Sequence, residues 1–246
     1  MAQFTKEWIQ YEDADIIVCQ KPAGFPVQSA RIGEQDMESA LRNYFAGEGG
    51  SRSIPYVGII HRLDQPVEGL LVFAKNTFAA KQLNQQMQKG TIGKYYLAVV
   101  TGEADKKEKT GINEAEKNIL EDYLLKNGRT NCSQVVKKGT AGAKLAKLEY
   151  EIKDRKIMED DTQAMLVKIH LYTGRHHQIR VQMAHAGMPL WGDTKYNSDF
   201  QETGSWSQIA LCAYSLNFQH PKTKKVMKFS MDPENPIFGK FDGKYW

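Results

Sequence analysis

The tetrapeptide His61-Arg62-Leu63-Asp64 contains the residue types of a reactive site. It follows the apolar, β-rich run 56–60, and Pro66 lies just beyond it, so we expect Asp64 at a strand end or on the following loop. A carboxylate there, beside histidine and arginine, has the chemistry of a nucleophile or of a general base. The same residues also suit a structural ion pair, which is the commoner use when the motif is taken alone.

A second polar cluster occupies residues 174–180, with the sequence Gly-Arg-His-His-Gln-Ile-Arg. Arg175, Gln178 and Arg180 lie near the predicted start of a helix, where backbone N–H groups favour an anion. Contact with phosphate is one interpretation of this cluster. A solvated, charged first turn is the other, and it is the commoner one for an isolated motif.

Signatures of cofactors and metals are absent from the sequence. It contains neither Gly-x-Gly-x-x-Gly, nor a P-loop, nor Gly-x-Ser-x-Gly, and its three cysteines are far apart without a Cys-x-x-Cys pair. The clustered histidines lack the spacing of a zinc motif and a suitable carboxylate; they are His176, His177 and His185. We therefore expect no cofactor and no metal.

The elements that position these clusters are predicted from hydrophobic spacing and turn residues. Strands are predicted over residues 16–19, 56–60, 69–75, 95–100, 148–153, 164–171, 209–218 and 226–230. Helices are predicted over 37–45 with Gly47 as the stop, from Asn76 or Thr77 to Gly90, and over 178–186 with Gly187 as the stop. Strands outnumber helices without regular βαβ alternation. This favours an α+β fold with a mixed, mostly antiparallel β-sheet and an active-site cleft across it.

One long segment shows no clear pattern of secondary structure. Residues 102–144 are polar, mixed in lysine and glutamate, and weakly periodic. We interpret them as a surface excursion with a short helix at 119–125.

Composition indicates one soluble globular domain over residues 1–246, because 41% of the residues are hydrophobic and 25% are charged. The net charge of +4 suits contact with phosphates over one face, although many soluble proteins have a similar balance. The first residues carry no signal-peptide pattern and no apolar run is long enough to span a bilayer, so we expect a cytoplasmic protein. A monomer without an obligate protein partner is the default expectation.

The string HRLDQPVEGLLVFAK at residues 61–75 closely resembles the central motif of the RluA-type pseudouridine synthases, roughly HRLD-x-x-T-S-G-L-L-x-x-A-K. Further segments match that family's motifs in the same order. They are its first strand and K-P-A-G turn at 11–13 and 21–24, its K-x-Y-x-A-x-V-x-G strand at 94–102, its T-G-R-T-H-Q-I-R at 173–180, the following segments 184–189 and 192–193, and its closing F-x-H-P at 218–221.

This resemblance implies an enzyme that isomerises specific uridines in structured RNA, tRNA or rRNA, to pseudouridine after base flipping. It implies that Asp64 is the catalytic aspartate and that Arg180 pairs with it. It implies that Tyr96 stacks on the target uracil and accepts the C5 proton, and that Arg62 fills the space of the flipped nucleotide. The other expected RNA contacts are His61, Arg175, His177 and Gln178.

The sequence departs from the family pattern in four places, at six residues. Val67-Glu68 replaces Thr-Ser, His176 replaces Thr, Gln182-Met183 replaces His-Leu, and Asn197 replaces Gly. None of them removes a proposed catalytic residue. We expect the added carboxylate of Glu68 to face solvent.

Many members of the family carry a separate N-terminal RNA-binding domain of the S4 type. Because the first long strand begins near Ile16, we expect none here, and selection of an RNA stem-loop by the catalytic domain itself. Two rival functions remain open. One is an RNA-binding or RNA-folding factor that keeps the fold without turnover. The other is a glycosidase or N-glycosylase, although glycosidases usually need two carboxylates and one good candidate is present.

Overall fold

The structure is a computed structural model that describes residues 4–31, 33–49, 54–102, 117–201 and 208–241. The chain forms two compact units. The first unit comprises Met1–Gly93 and Ala213–Asp232, and the second comprises Lys94–Cys212 and Pro233–Trp246. The domain predicted over residues 1–246 stays a prediction.

The described residues form eleven strands and three α-helices. The strands are β1 (Ile9–Glu12), β2 (Ile16–Lys21), β3 (Gly58–Ile59), β4 (Glu68–Ala74), β5 (Gly93–Thr101), β6 (Asn118–Asn127), β7 (Cys132–Val136), β8 (Lys144–Ile157), β9 (Gln163–Leu171), β10 (Leu211–Gln219) and β11 (Val226–Ser230). The helices are α1 (Met37–Gly49), α2 (Thr77–Lys89) and α3 (Gln178–His185). None of the helices in the described part of the chain has the length and apolar character needed to cross a membrane.

The first unit is built around the strand order β1-β2-β4-β10, with β3 paired to β4 and β11 paired to β10. Strands β2 and β4 are antiparallel, with register running from Ile16 opposite Ala74 to Lys21 opposite Gly69. β4 is buried along its whole length, as its unbroken apolar run predicts. Gly69 has φ of +142°, and a Cβ there would lie 2.4 Å from the Cβ of Ala213, so only glycine allows this close approach.

The caps of α2 follow the predicted chemistry. The side chain of Asn76 accepts a hydrogen bond from the amide of Ala79, 2.8 Å away, at the start of the helix. At the other end Gly90 adopts the left-handed conformation with φ of +68°, which closes the helix.

The second unit is built around the order β5-β9-β8-β6-β7. Strands β5 and β9 are antiparallel, which places Tyr95 opposite His170 and Tyr96 opposite Ile169. Because side chains alternate along a strand, Lys94 and Tyr96 share one face of β5 whereas Tyr95 lies on the other. Helix α3 packs against β6 and β7 in the same unit.

The α+β class and the mostly antiparallel sheet are confirmed, since every pairing with a described register is antiparallel. Several boundaries differ from prediction. Helix α1 continues through Gly47 to Gly49, and the strand predicted over 56–60 contains only two paired residues in β3. The strand predicted over 148–153 extends over Lys144–Ile157 as β8.

The helix predicted at 119–125 is wrong, because these residues lie in β6 and pair with β8 on one side and β7 on the other. The side chain of Asn127 accepts hydrogen bonds from the amides of Arg129 and Thr130, which turns the chain from β6 into β7. Leu124 of β6 is buried with Ala146. Residues 103–116 of the predicted excursion lie outside the described residues.

Candidate active site

Asp64 lies between β3 and β4, where the sequence predicts a loop. Its backbone carbonyl accepts a hydrogen bond from the amide of Val67 at 3.0 Å, so the chain turns directly after the carboxylate. Asp64 is half-buried, whereas Arg62 is exposed and free to reach a substrate. His61 is half-buried, and its Nε2 accepts a hydrogen bond from the amide of Val72 at 3.4 Å.

A buried lysine donates hydrogen bonds to the backbone of this loop and of the neighbouring turn. Lys21 has no solvent exposure, and its ammonium group donates to the carbonyls of Pro22 at 2.9 Å, Phe25 at 2.7 Å and Gln65 at 3.0 Å. The bond to Gln65 holds the residue that directly follows Asp64. Burial lowers the pKa of Lys21 to about 7, and the carboxylates of Asp64 and Glu68 oppose that shift. Lys21 therefore interacts electrostatically with both of these carboxylates in the first unit.

The expectation that Glu68 faces solvent is wrong. Glu68 opens β4 and is 1% exposed. Its charge raises the pKa of Lys21, so the two groups interact inside the first unit. The attraction between this carboxylate and the buried amine of Lys21 offsets part of the cost of burying the two groups.

Tyr96 lies near the start of β5, the first strand in the order of the second unit. Its side chain is 5% exposed and lies on the same face as Lys94, which is 7% exposed. Burial, together with the nearby charge of Arg175, lowers the pKa of Lys94 to about 8. An aromatic ring and a buried amine thus stand two residues apart on one face of β5.

The start of α3 is shaped by two buried polar side chains. His177, at the N-cap, adopts a left-handed conformation with φ of +51°. Gln178 is 3% exposed, and its oxygen accepts from the hydroxyl of Thr173 at 2.7 Å and from the amide of Arg175 at 3.0 Å. Gln178 therefore positions the turn that carries Arg175, while its predicted contact with RNA stays a prediction.

His177 is held neutral by burial and contacts a tyrosine. Its Nδ1 lies 2.9 Å from the hydroxyl of Tyr196, which in turn accepts a hydrogen bond from the amide of Ser133 at 2.6 Å. Burial and the neighbouring charge of Arg180 lower the pKa of His177 to about 2, and burial raises the pKa of Tyr196 to about 12. The neutral ring and the hydroxyl therefore share a hydrogen bond, whose direction is set by the tautomer of His177.

His176 joins α3 to the β6–β7 hairpin. Its Nε2 lies 3.1 Å from the side-chain oxygen of Asn131, and its Nδ1 lies 2.9 Å from the hydroxyl of Ser133. Because the amide oxygen can only accept, Nε2 carries the proton and Nδ1 accepts from the serine. The ring also stacks on His177 with centroids 3.8 Å apart. The departure from the family's threonine thus supplies two hydrogen bonds to the hairpin.

Arg180 forms a bidentate salt bridge with Asp193. Its Nε lies 2.7 Å from Oδ2 and its Nη2 lies 2.7 Å from Oδ1, with both side chains buried. Asp193 Oδ1 also accepts from the amides of Lys195 at 2.9 Å and Tyr196 at 3.2 Å. This carboxylate fixes both the arginine and the turn that carries Tyr196.

The predicted site residues fall into two groups. His61, Arg62 and Asp64 lie together in the first unit. The second unit holds Tyr96, Arg175, His177, Gln178 and Arg180. The predicted pairing of Arg180 with Asp64 and the cleft across the sheet stay predictions.

Two further departures from the family pattern place buried amides inside the second unit, and among the described residues the Oε1 atom of Gln182 has no hydrogen-bond partner. Asn197 is fully buried and donates to the hydroxyl of Thr101 and the carbonyl of Leu190, each at 3.0 Å. Gln182 is fully buried and donates to Asp122 of β6 at 2.7 Å. Both amides therefore anchor chain segments rather than disturb the core.

Sequence reasoning left several supporting residues without a role. The family strings contain Lys21, Lys94 and Asp193, but a string does not show which side chains are buried or paired. Ser133 has no motif at all, because its role depends on a hairpin that the periodicity did not reveal. In the K-P-A-G, K-x-Y and G-D strings, a charged residue stands next to a predicted buried strand or a reactive motif. Such a charged residue is the sequence feature that could have indicated a supporting role.

A group of metal-ligand types lies elsewhere in the first unit. Among the described residues the ligand atoms that come together are those of Asp13, Asp15 and His220. Asp13 Oδ1 accepts from the amides of Asp15 and Ile16, both at 2.8 Å, and Oδ2 accepts from His220 Nε2, also at 2.8 Å. His220 Nδ1 accepts from two backbone amides. These hydrogen bonds hold the closing F-x-H-P turn against the segment that contains Asp13.

Comparison with known proteins decides the family. A sequence model described as RNA pseudouridylate synthase matches residues 15–185, a stretch that includes Asp64, Tyr96 and Arg180. The chain belongs to the RNA pseudouridylate synthase family. The resemblance stated from the motifs is confirmed.

Two curated relatives illustrate the similarity. Ribosomal large subunit pseudouridine synthase C of Haemophilus influenzae is 30% identical over 230 residues, which cover 90% of this chain and 64% of that protein. The chain thus spans slightly less than two thirds of the length of this relative. The tRNA pseudouridine synthase C of Haemophilus ducreyi is 32% identical and covers 90% of this chain and 89% of its own.

The fold is likewise that of solved family members. The structure of human RNA pseudouridylate synthase domain containing 4 superposes with a TM-score of 0.71 at 18% identity, covering 94% of this chain and 90% of that chain. Human RNA pseudouridylate synthase domain containing 1 gives a TM-score of 0.70 at 21% identity, covering 93% and 84%. The architecture of the family is therefore present in this chain.

Proposed function

We propose that the chain isomerises uridine in structured RNA to pseudouridine, with Asp64 as the catalytic carboxylate. The observation that carries this proposal is the family match over residues 15–185, which retains all three residues that the family motifs place in catalysis: Asp64, Tyr96 and Arg180. The surroundings of Asp64 support it. The carboxylate is half-buried on a turn, and its charge acts on the buried amine of Lys21.

The reaction breaks the N1–C1′ bond, turns the base and forms a C5–C1′ bond. Asp64 acts either by attacking C1′ or by removing a ribose proton, and both routes require an ionised carboxylate. The proton on C5 leaves for an acceptor and N1 ends protonated, so no redox partner is consumed. Tyr96 supplies the aromatic surface on which the detached uracil turns, and stacking of this kind contributes about 1–3 kcal/mol per base.

The substrate is proposed as a stem-loop of tRNA or ribosomal RNA. The relatives carry names for both classes, one for the large ribosomal subunit and one for tRNA. The bases of a stem are stacked, so the target uridine has to leave the stack before it reaches Tyr96. The exposed side chain of Arg62 is suited to fill the space that remains.

Tritium release tests this function directly. Transcripts of tRNA and ribosomal RNA labelled with tritium at uracil C5 are incubated with wild type and with Asp64→Asn, and the modified positions are then mapped. We expect release with wild type and none with the variant. Asp160→Asn, which changes an exposed carboxylate outside the proposed catalytic set, serves as the control and retains release.

Each outcome separates the proposal from its rivals. Tight RNA binding without release from any transcript by wild type refutes isomerisation and supports an RNA-binding factor. Free uracil as the product supports an N-glycosylase. Release by Asp64→Asn at the wild-type rate removes Asp64 from the chemistry.

We propose further that the protein acts in the cytoplasm as a monomer without an obligate protein partner. Light scattering coupled to gel filtration measures the mass directly, and a value near 27.9 kDa supports the monomer. A mass near twice that value contradicts it.

A further inference from the structure

The amine of Lys94 is buried, and the described part of the chain supplies no partner for its charge. Its side chain is 7% exposed, and within the described residues its Nζ has neither a hydrogen bond nor an ion pair. The amine approaches the turn before α3, where a Cβ added to Gly174 would lie 3.7 Å from Nζ. A buried ammonium group normally has carbonyl or carboxylate partners, as Lys21 does in the first unit.

A second cation faces the same place. The charge of Arg175 acts on Lys94 strongly enough to lower its pKa, along with burial. Arg175 donates from Nε to the carbonyl of Leu145 at 2.8 Å, and in the described part of the chain its terminal nitrogens have no hydrogen bond. Gln178 holds the backbone of Arg175, so this second cation extends from a fixed turn.

Two like charges that repel each other while one of them is buried are unfavourable in the protein alone. A bound anion makes the arrangement favourable, because its negative charge offsets the repulsion between the two cations and its oxygens accept the hydrogen bonds that Lys94 lacks. Phosphate oxygens suit an ammonium group and a guanidinium group acting together. We propose that Lys94, together with Arg175, binds one backbone phosphate of the RNA beside the nucleotide that stacks on Tyr96.

The geometry connects this site to the base. Lys94 and Tyr96 are two residues apart on one face of β5, so their Cα atoms are about 7 Å apart. One nucleotide can therefore touch the ring with its base and the amine with its phosphate. Lys94 becomes a positioning residue that holds the target nucleotide, an inference that rests on the proposed function.

The test combines a charge-removing variant with single neutral phosphates. Methylphosphonate is introduced at one phosphate at a time around the target uridine of an RNA stem-loop, and the Kd is measured for wild type and for Lys94→Gln. We expect one position at which wild type loses affinity about tenfold, the loss for one charge-assisted hydrogen bond, while Lys94→Gln loses nothing further. Lys94→Arg is expected to keep the wild-type pattern.

Salt dependence gives an independent measurement. The slope of log Kd against log salt concentration is expected to fall in magnitude by roughly 0.7–0.9 in Lys94→Gln, the value for one lost phosphate contact. Lys81→Gln, at an exposed lysine of α2, is the matched control and keeps the wild-type slope. The Tm of Lys94→Gln is expected to equal or exceed that of wild type, because a buried charge without a fold partner is removed.

Tritium release by the same wild-type preparation separates this inference from the proposed function. Release without any phosphate position that couples to Lys94 refutes the phosphate site and leaves the isomerase intact. A phosphate position that couples to Lys94, found without tritium release, supports the phosphate site and refutes the proposed catalysis. A large drop in Tm in Lys94→Gln, with affinity unchanged, shows a structural amine and refutes the proposal.

Discussion

Arg180 and Asp193 meet through two parallel hydrogen bonds of 2.7 Å in the interior of the second unit. The side chains are 4% and 0% exposed, so neither charge is compensated by water. The arginine that the family motif assigns to the catalytic centre is therefore oriented by a carboxylate thirteen residues further along the chain.

The first prediction concerns this pair. Asp193→Asn leaves the guanidinium group of Arg180 buried with a weaker acceptor, and we expect the free energy of unfolding to fall by about 3–5 kcal/mol. Urea unfolding followed by circular dichroism measures the change. The control is Glu121→Gln, which removes an exposed ion pair with Lys147 of 3.4 Å and is expected to change stability by less than about 1 kcal/mol. Equal losses in the two variants would show that the buried pair has no special role.

The second prediction concerns the coupling of Lys21 and Glu68 in the first unit. Lys21→Met removes the donor of three carbonyls and the amine on which the charge of Glu68 acts, so we expect the free energy of unfolding to fall by about 3 kcal/mol or more. Glu68→Ser restores the residue of the family pattern. We expect Glu68→Ser to recover part of the stability lost in Lys21→Met.

A double-mutant cycle by urea unfolding measures this coupling. The single variants and the double variant are compared under one buffer and one temperature. Strict additivity of the two changes would contradict the interaction of Lys21 with Glu68.

The third prediction is a dependence of stability on pH. Because the pKa of His177 is about 2 in the folded chain and about 6.5 in an unfolded chain, only the unfolded chain takes up this proton as pH falls below about 6.5. Stability is therefore lost progressively between about pH 6.5 and pH 2, by up to about 2 kcal/mol at pH 5. In His177→Gln this contribution to the pH dependence is absent.

Urea unfolding at pH 7 and pH 5 measures the effect. The difference in unfolding free energy between the two pH values is expected to be smaller in His177→Gln than in wild type. His185→Gln is the control, because His185 is exposed and lies outside the network of His177 and Tyr196. An unchanged difference in His177→Gln would disprove the neutral, buried state of this ring.

The fourth prediction concerns the β6–β7 hairpin. His176→Thr restores the family's residue but removes the hydrogen bonds to Asn131 and Ser133, each of which contributes about 0.5–1.5 kcal/mol. We expect faster hydrogen exchange of the amides of β7, with little change in β2 of the first unit. Mass spectrometry of exchanged peptides measures both strands. His185→Thr is the control, and faster exchange in that variant as well would show a general loss of stability.

The sequence by itself determined the family, the fold class and most of the regular elements. Buried strands such as β4 are continuous apolar runs, and α2 carries its own signals in Asn76 and Gly90. Such features are local, because they depend on side-chain periodicity and on the conformations that individual residues prefer. The HRLD string with Asp64 is also a local feature, because its residues are contiguous, and it could therefore be recognised from the sequence.

Tertiary structure alone decided which polar groups are buried and which groups they meet. Glu68 is buried in the first unit, where its charge acts on the amine of Lys21, and Arg180 is paired within its unit because Asp193 folds back to it. β6 is a strand because two neighbouring strands satisfy its backbone, which its own polar sequence does not indicate. The energies of such groups depend on partners that are distant in sequence, so no local pattern contains them.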